Sequence, residues 1–115
     1  MHGKAATALL ALTTLLTGCH SHYIQTTITN TSDAEIDVVQ VEYPSASFGV
    51  QQLAPGQAFH YRFKLLGSGK IKISFVDAHK GEHAVTGPWL NEGEQGTLNI
   101  GLTQTNATFQ PSVHP

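Results

Sequence analysis

An antiparallel β-sandwich of about seven strands is the fold this sequence predicts, and three observations carry the expectation. Past position 22 the apolar residues recur with a period of two, and no stretch there keeps a helical period for three turns. Clusters of Gly, Pro, Asn, Asp and Ser interrupt the alternation at short intervals. Charged residues make up only 12% of the chain while glycine occurs 11 times, a balance that suits short strands joined by tight turns.

Ahead of the strands, Lys4 precedes an apolar run over 5–16 that only threonines interrupt. A positive start, a short apolar segment and small Gly18 have the build of a secretory signal peptide. A spanning helix needs about 20 apolar residues, and polar His20-Ser21-His22 closes this run well before that. Leu16-Thr17-Gly18-Cys19 resembles the lipobox of bacterial lipoproteins. That resemblance implies cleavage after Gly18, acyl chains such as palmitate on Cys19, and attachment to a membrane through them. The residue after the cysteine is His20 and not aspartate. By the enterobacterial sorting pattern this implies the outer membrane, with the domain facing the periplasm or the cell surface. A plain cleavable signal with a chance cysteine is the alternative. The expected organisation is a signal peptide over 1–18, a lipidated cysteine and short tether over 19–22, a sandwich over 23–103 and a flexible tail over 104–115. Removing 1–18 leaves 97 of the 115 residues, enough for one domain. Cys19 is the only cysteine, so packing must hold that domain together without an internal disulfide.

The strands follow in order. Ile24, Thr26 and Ile28 alternate until the turn-prone run Asn30-Thr31-Ser32-Asp33. A second strand spans 35–43, but Ile36 and Val38 share one face while Val39, Val41 and Tyr43 share the other. A bulge, or mid-strand burial on both sides, would account for that change of parity. Pro44 ends it. Phe48, Val50 and Leu53 make a third strand, closed by Ala54-Pro55-Gly56. Phe59, Tyr61, Phe63 and Leu65 then alternate with His60, Arg62 and Lys64, and Ile71, Ile73 and Phe75 with Lys70, Lys72 and Ser74. Gly67-Ser68-Gly69 lies between the two runs, which predicts a hairpin pairing Phe63 with Ile73. A sixth strand over 82–86 should break at Gly87-Pro88, and Leu98, Ile100 and Leu102 form the last. Seven such strands point to an immunoglobulin-like or fibronectin-III-like sandwich, without the cysteine–tryptophan–cysteine hallmark of true immunoglobulin domains. The pattern is also similar to small uncharacterised Gram-negative lipoproteins through Tyr43-Pro44, Ser47-Phe48-Gly49, Tyr61-Arg62-Phe63-Lys64 and Gly87-Pro88. No activity comes with that resemblance.

No motif announces a reaction. Gly67-Ser68-Gly69 sits in a turn and not on a strand-to-helix elbow, and no phosphate-cradling glycine loop precedes a helix. An acylated Cys19 is a thioether and no nucleophile. The chain is therefore expected to be no enzyme and to need no cofactor. With a formal charge of −2 it is expected to bind no nucleic acid and to stay a monomer, its partners being the membrane and an unidentified envelope component. Weak metal candidates are His79 and His83, which flank Lys80-Gly81 with Asp77 and Glu82 nearby; solvated turn polarity is the preferred account. Trp89 is expected to cap the core, its alternative role being a stacking platform for a ligand. Asn30-Thr31-Ser32 and Asn106-Ala107-Thr108 match the glycosylation pattern but are taken as turn and tail polarity. Arg62, Lys64, Lys70 and Lys72 would form one cationic stripe on the expected hairpin. Edge protection and cross-strand pairing with Glu35 or Asp37 are its preferred roles, and contact with anionic lipid or an acidic partner is the alternative.

Overall fold

The computed structural model describes residues 22–115; the expected signal segment, Cys19, His20 and Ser21 lie outside the described residues. Eight strands follow one another: β1 (Tyr23–Asn30), β2 (Ile36–Tyr43), β3 (Ala46–Leu53), β4 (Ala58–Lys64), β5 (Gly69–Val76), β6 (Glu82–Leu90), β7 (Gln95–Leu102) and β8 (Ala107–His114). They form two four-stranded sheets, ordered β4-β1-β7-β8 and β3-β2-β5-β6. Every neighbouring pair is antiparallel except β1 with β7, which run parallel. Between the sheets lies a continuous core that includes Ile24, Ile28, Ile36, Val41, Leu53, Phe63, Ile71, Ile73, Phe75, Leu98, Ile100 and Leu102. The fold is an immunoglobulin-like β-sandwich. Taking β1 and β4 as strands B and E, β3-β2-β5-β6 has the place of C′-C-F-G in the facing sheet. The position beside B is filled by β7, with β8 outside it.

The parity change in β2 is a bulge. Val38 has φ 48° and is 51% exposed, while Ile36 and Val39 on either side are buried. Pairing with β5 slips there, from Asp37–Val76 to Gln40–Ser74. The extra residue, Val38, is left outside, and Ile36 before it and Val39 and Val41 after it all reach the core.

Three expectations are corrected. First, β4 and β5 are not a hairpin: β4 pairs with β1, and β5 pairs with β2 and β6. The link from Leu65 to Ser68 steps between the sheets, with Leu65 buried at the corner. Phe63 and Ile73 are both buried, yet they belong to facing sheets. Alternation assigns a strand's faces but not its neighbour, because strands of opposite sheets alternate in the same way. Second, Gly87-Pro88 does not end β6. The register moves from Lys72–Thr86 to Lys70–Trp89, so one extra residue is absorbed as a bulge and the strand continues to Leu90. Leu90 enters the core, and Trp89 turns outward at 58% exposure. A side chain at Gly87 would collide with Ile71 Cγ2 at 2.7 Å and with the Phe109 ring at 2.7 Å, so the glycine admits β8 against this bulge. Third, most of the supposed tail is strand β8, paired with β7 from Leu102–Ala107 to Gln95–His114. Its sparse apolar residues, Ala107, Phe109 and Val113, suffice because an edge strand needs only one covered face. Pro111 fits there because a strand with one open edge can lack a backbone N–H.

Candidate functional site

Strand direction sorts the turns to two ends of the sandwich. One end carries the turns after β1, β3, β5 and β7. The other carries the start of β1, the β2–β3 turn, the β4–β5 crossover and the β6–β7 loop. Tyr23, four residues past Cys19, opens β1 at this second end opposite Lys64. The second end is called proximal here, and the other distal.

The candidate histidines lie at the distal end. Asp77 Oδ1 accepts backbone N–H groups of His79 and Gly81, each at 2.8 Å, and His83 Nε2 meets Asp77 Oδ2 at 2.7 Å. An ionised carboxylate only accepts, so Nε2 carries the proton. The His83 ring also stacks on Phe75, with centroids 5.0 Å apart. Asp77 is held down from the ordinary 3.8 to about 2, first by His83, then by the Gly81 and His79 N–H groups, against a smaller opposing effect of burial. These contacts fasten the turn, with Lys80 at φ 70° completing it. Lys80 Nζ reaches Asp37 Oδ2 at 4.0 Å, and Asp37 in turn raises the pKa of Glu35. His79 shares only its backbone with this cluster and its side chain is exposed. Among the described residues no group of three or more His, Cys, Asp or Glu side chains is placed to hold a metal ion.

Asn30, read from the sequence as turn polarity, and Gln104, placed in the tail, organise the same end. Fully buried Asn30 donates from Nδ2 to Ala34 O and Leu53 O, and its Oδ1 accepts from Ser32 N and Ser32 Oγ. Gln104, assigned to the tail, donates to Ser32 Oγ and Ala34 O and accepts from Ala78 N, tying three turns together. A polar residue in a turn-rich stretch has the same sequence signature whether it is solvated or buried, so neither role could be seen in the sequence.

Around the proximal end are three exposed large apolar side chains: Tyr23 (36%), Leu66 (67%) and Trp89 (58%). Leu66 N donates to Ser45 Oγ, and Glu92 N to Ser68 Oγ, so the three connections there brace one another. Trp89 Nε1 donates to Asn91 Oδ1, and Arg62 covers the Tyr23 ring at 4.3 Å. The expected single cationic stripe does not exist. Arg62 and Lys64 leave the outer face of β4, and Lys70 and Lys72 leave the outer face of β5 in the other sheet. Direction still brings all four to the proximal half, beside Glu42, Glu92 and Glu94. Lys72 stands opposite Glu42, and Asp37 has Lys80 as its ion-pair partner in place of Lys70 or Lys72.

Along one side an aromatic ladder fills the space between β3 and β4. Phe48 stacks on Tyr61 at 4.1 Å and Tyr43 on Phe63 at 4.2 Å. Burial, helped by Tyr61, raises the Tyr43 pKa. Surface hollows near the bulge at Val38 and beside His60 are shallow, and in neither do acid, base and donor groups converge. Comparison with known proteins finds no matching family model, no matching curated protein and no matching solved structure.

Proposed function

We propose that the chain is a lipid-anchored cell-envelope protein whose β-sandwich has a binding or structural role and no catalytic one. The observation that carries this reading is Leu16-Thr17-Gly18-Cys19, followed within four residues by the first strand of a folded domain. Two or three acyl chains on one cysteine, at ~0.8 kcal/mol per buried methylene, suffice for a stable anchor where one chain is marginal. Asp77, His83, Asn30, Ser32 and Gln104 support a structural role for that end, since their side chains are spent on fastening turns. Outer-membrane residence, facing the periplasm or the cell surface, rests on His20 following the cysteine. Cys19→Ala should abolish acyl mass on the mature protein and move it out of the detergent phase on membrane fractionation. A variant stalled as the uncleaved precursor is held by its apolar 5–16 run, but one cut free of residues 1–18 that stays membrane-bound has its anchor elsewhere, and the lipoprotein reading fails.

A second reading, a small-ligand module, draws on the exposed Trp89 ring, whose hydrogen bond to Asn91 holds it ready to stack. Its metal-binding form at His79 and His83 would take Nδ1 of His83 as the ligand, since Nε2 donates to Asp77. Titrating simple sugars while following Trp89 fluorescence tests the stacking form, and titrating zinc while following the His79 and His83 imidazole NMR signals tests the metal form, a saturable change being the supporting result in each.

A further inference from the structure

We propose that the proximal end docks on an anionic lipid surface, with Leu66 and Trp89 entering the headgroup layer and Lys64 and Lys70 meeting phosphates. This inference rests on the lipid anchor proposed above and adds an orientation to it. Chain length is the first support. From Cys19 to Tyr23 is four residues, which even fully extended reach only ~14 Å. An eight-residue strand spans ~27 Å, so the distal turns stand well away from any surface that holds the cysteine.

Side chains at that end agree with the constraint. Two of the most exposed large apolar residues of the described chain, Leu66 and Trp89, lie there and not at the distal end. An amphipathic indole is favoured at the membrane interface, where its ring is in apolar surroundings and its N–H meets polar ones. Charge is distributed the same way. The proximal half holds Arg62, Lys64, Lys70 and Lys72 against Glu42, Glu92 and Glu94, whereas the distal half holds Lys80 against Asp33, Glu35, Asp37, Asp77 and Glu82. An anionic surface therefore repels the distal end and tolerates the proximal one, at about 1 kcal/mol per basic residue near it. Tyr23, with Arg62 over its ring, lies where the tether enters the domain.

Trp89 is the only tryptophan, so its emission reports this end alone. The full chain, purified with acylation of Cys19 checked by mass, is reconstituted into phosphatidylcholine vesicles with and without phosphatidylglycerol. Lipids brominated near the headgroup should quench most Trp89 emission, and aqueous iodide should quench it far less than it quenches free tryptophanamide. Lys64→Glu with Lys70→Glu should weaken the brominated-lipid quenching in phosphatidylglycerol vesicles, and Leu66→Ser should weaken it in both. An acylated protein whose Trp89 is open to iodide and untouched by brominated lipid overturns the docking while leaving the anchor intact. Protection from both quenchers also overturns it, pointing to contact between protein molecules. A mature protein without acyl mass overturns both readings.

Discussion

At the residue scale, the distal end depends on groups that are buried or tightly bonded. Asn30→Ala would strip Leu53 O of the Asn30 donor in the core and release Ser32, and each buried group left unpaired costs about 1–3 kcal/mol. A clear drop in melting temperature is expected, and Asn30→Asp should not restore it, because a carboxylate cannot donate to Leu53 O or Ala34 O. Thr26 shows the opposite case. It is 2% exposed, and its Oγ1 has no partner among the described residues, so Thr26→Val should leave stability equal or raise it by up to about 1–3 kcal/mol in denaturant titrations. Asp77 links the turn to pH. Its folded pKa is depressed, so its contribution is complete above the ordinary 3.8 and is lost as pH falls through about 2. The melting-temperature gap between wild type and Asp77→Asn should thus be widest at neutral pH and close over that acid window. His83→Phe keeps a ring against Phe75 but removes the largest cause of the depression, and the Asp77 carboxyl should then titrate nearer 3.8 by NMR.

At the scale of elements, alternation in the sequence identified most inward and outward faces, the exposed Val38 at the β2 bulge and Tyr61 on β4 being exceptions. Phe63, Ile71, Ile73 and Phe75 are buried as their spacing predicts, and Arg62, Lys64, Lys70 and Lys72 are exposed. Phe63→Ala should cost about 3–5 kcal/mol, since the ring stacks on Tyr43 at 4.2 Å and packs beside Phe48. Lys64→Ala, one residue on, should stay within about 0.5 kcal/mol; comparable losses from the two in thermal melts would mean that the face assignment is reversed. Partnership between strands was not legible. A short glycine-bearing link closes a hairpin as readily as it crosses between sheets, and the choice falls to which edges the whole core leaves open. The Gly87-Pro88 bulge was hidden for a related reason: Gly and Pro mark strand ends and bulges alike, and only the pairing of Lys70 with Trp89 distinguishes them. This mistaken strand end is what put Trp89 in the core on paper. With the bulge in place, Leu90 is buried and the indole becomes a surface feature, so the proximal candidate site was not legible: Arg62, Lys64, Lys70 and Trp89 had been singled out, but Tyr23 and Leu66 had not.

At the scale of the molecule, the sandwich closes only when the chain has run nearly to residue 115. Strand β7 enters parallel to β1, fills the slot beside it and brings Leu98, Ile100 and Leu102 into the core. It cannot serve as an edge without leaving one row of backbone N–H and C=O groups unpaired, and β8 covers that row from Ala107 to His114. Gly96 allows the three strands to approach. Its φ of 136° belongs to glycine, and a Cβ there would meet Ser112 O of β8. The folding unit therefore extends past the 23–103 domain that apolar pattern alone suggests, because β8 contributes backbone pairing more than apolar area. A chain stopped after Thr103 retains every strand of β1–β7 but also loses the Ala107, Phe109 and Val113 contacts and the Thr103–Asn106 turn. Total stability of a domain this size is about 5–15 kcal/mol, and losing eight paired residues should consume much of it. The stopped chain is expected to aggregate or to melt far below the full one, with amide exchange in β7 and β1 accelerated most. Ala107→Asp gives a milder check, placing a charge at a position 6% exposed while keeping the strand. If the stopped chain instead keeps the full melting temperature and slow exchange in β7, β8 is an ornament of the edge, and the domain ends where the alternation does.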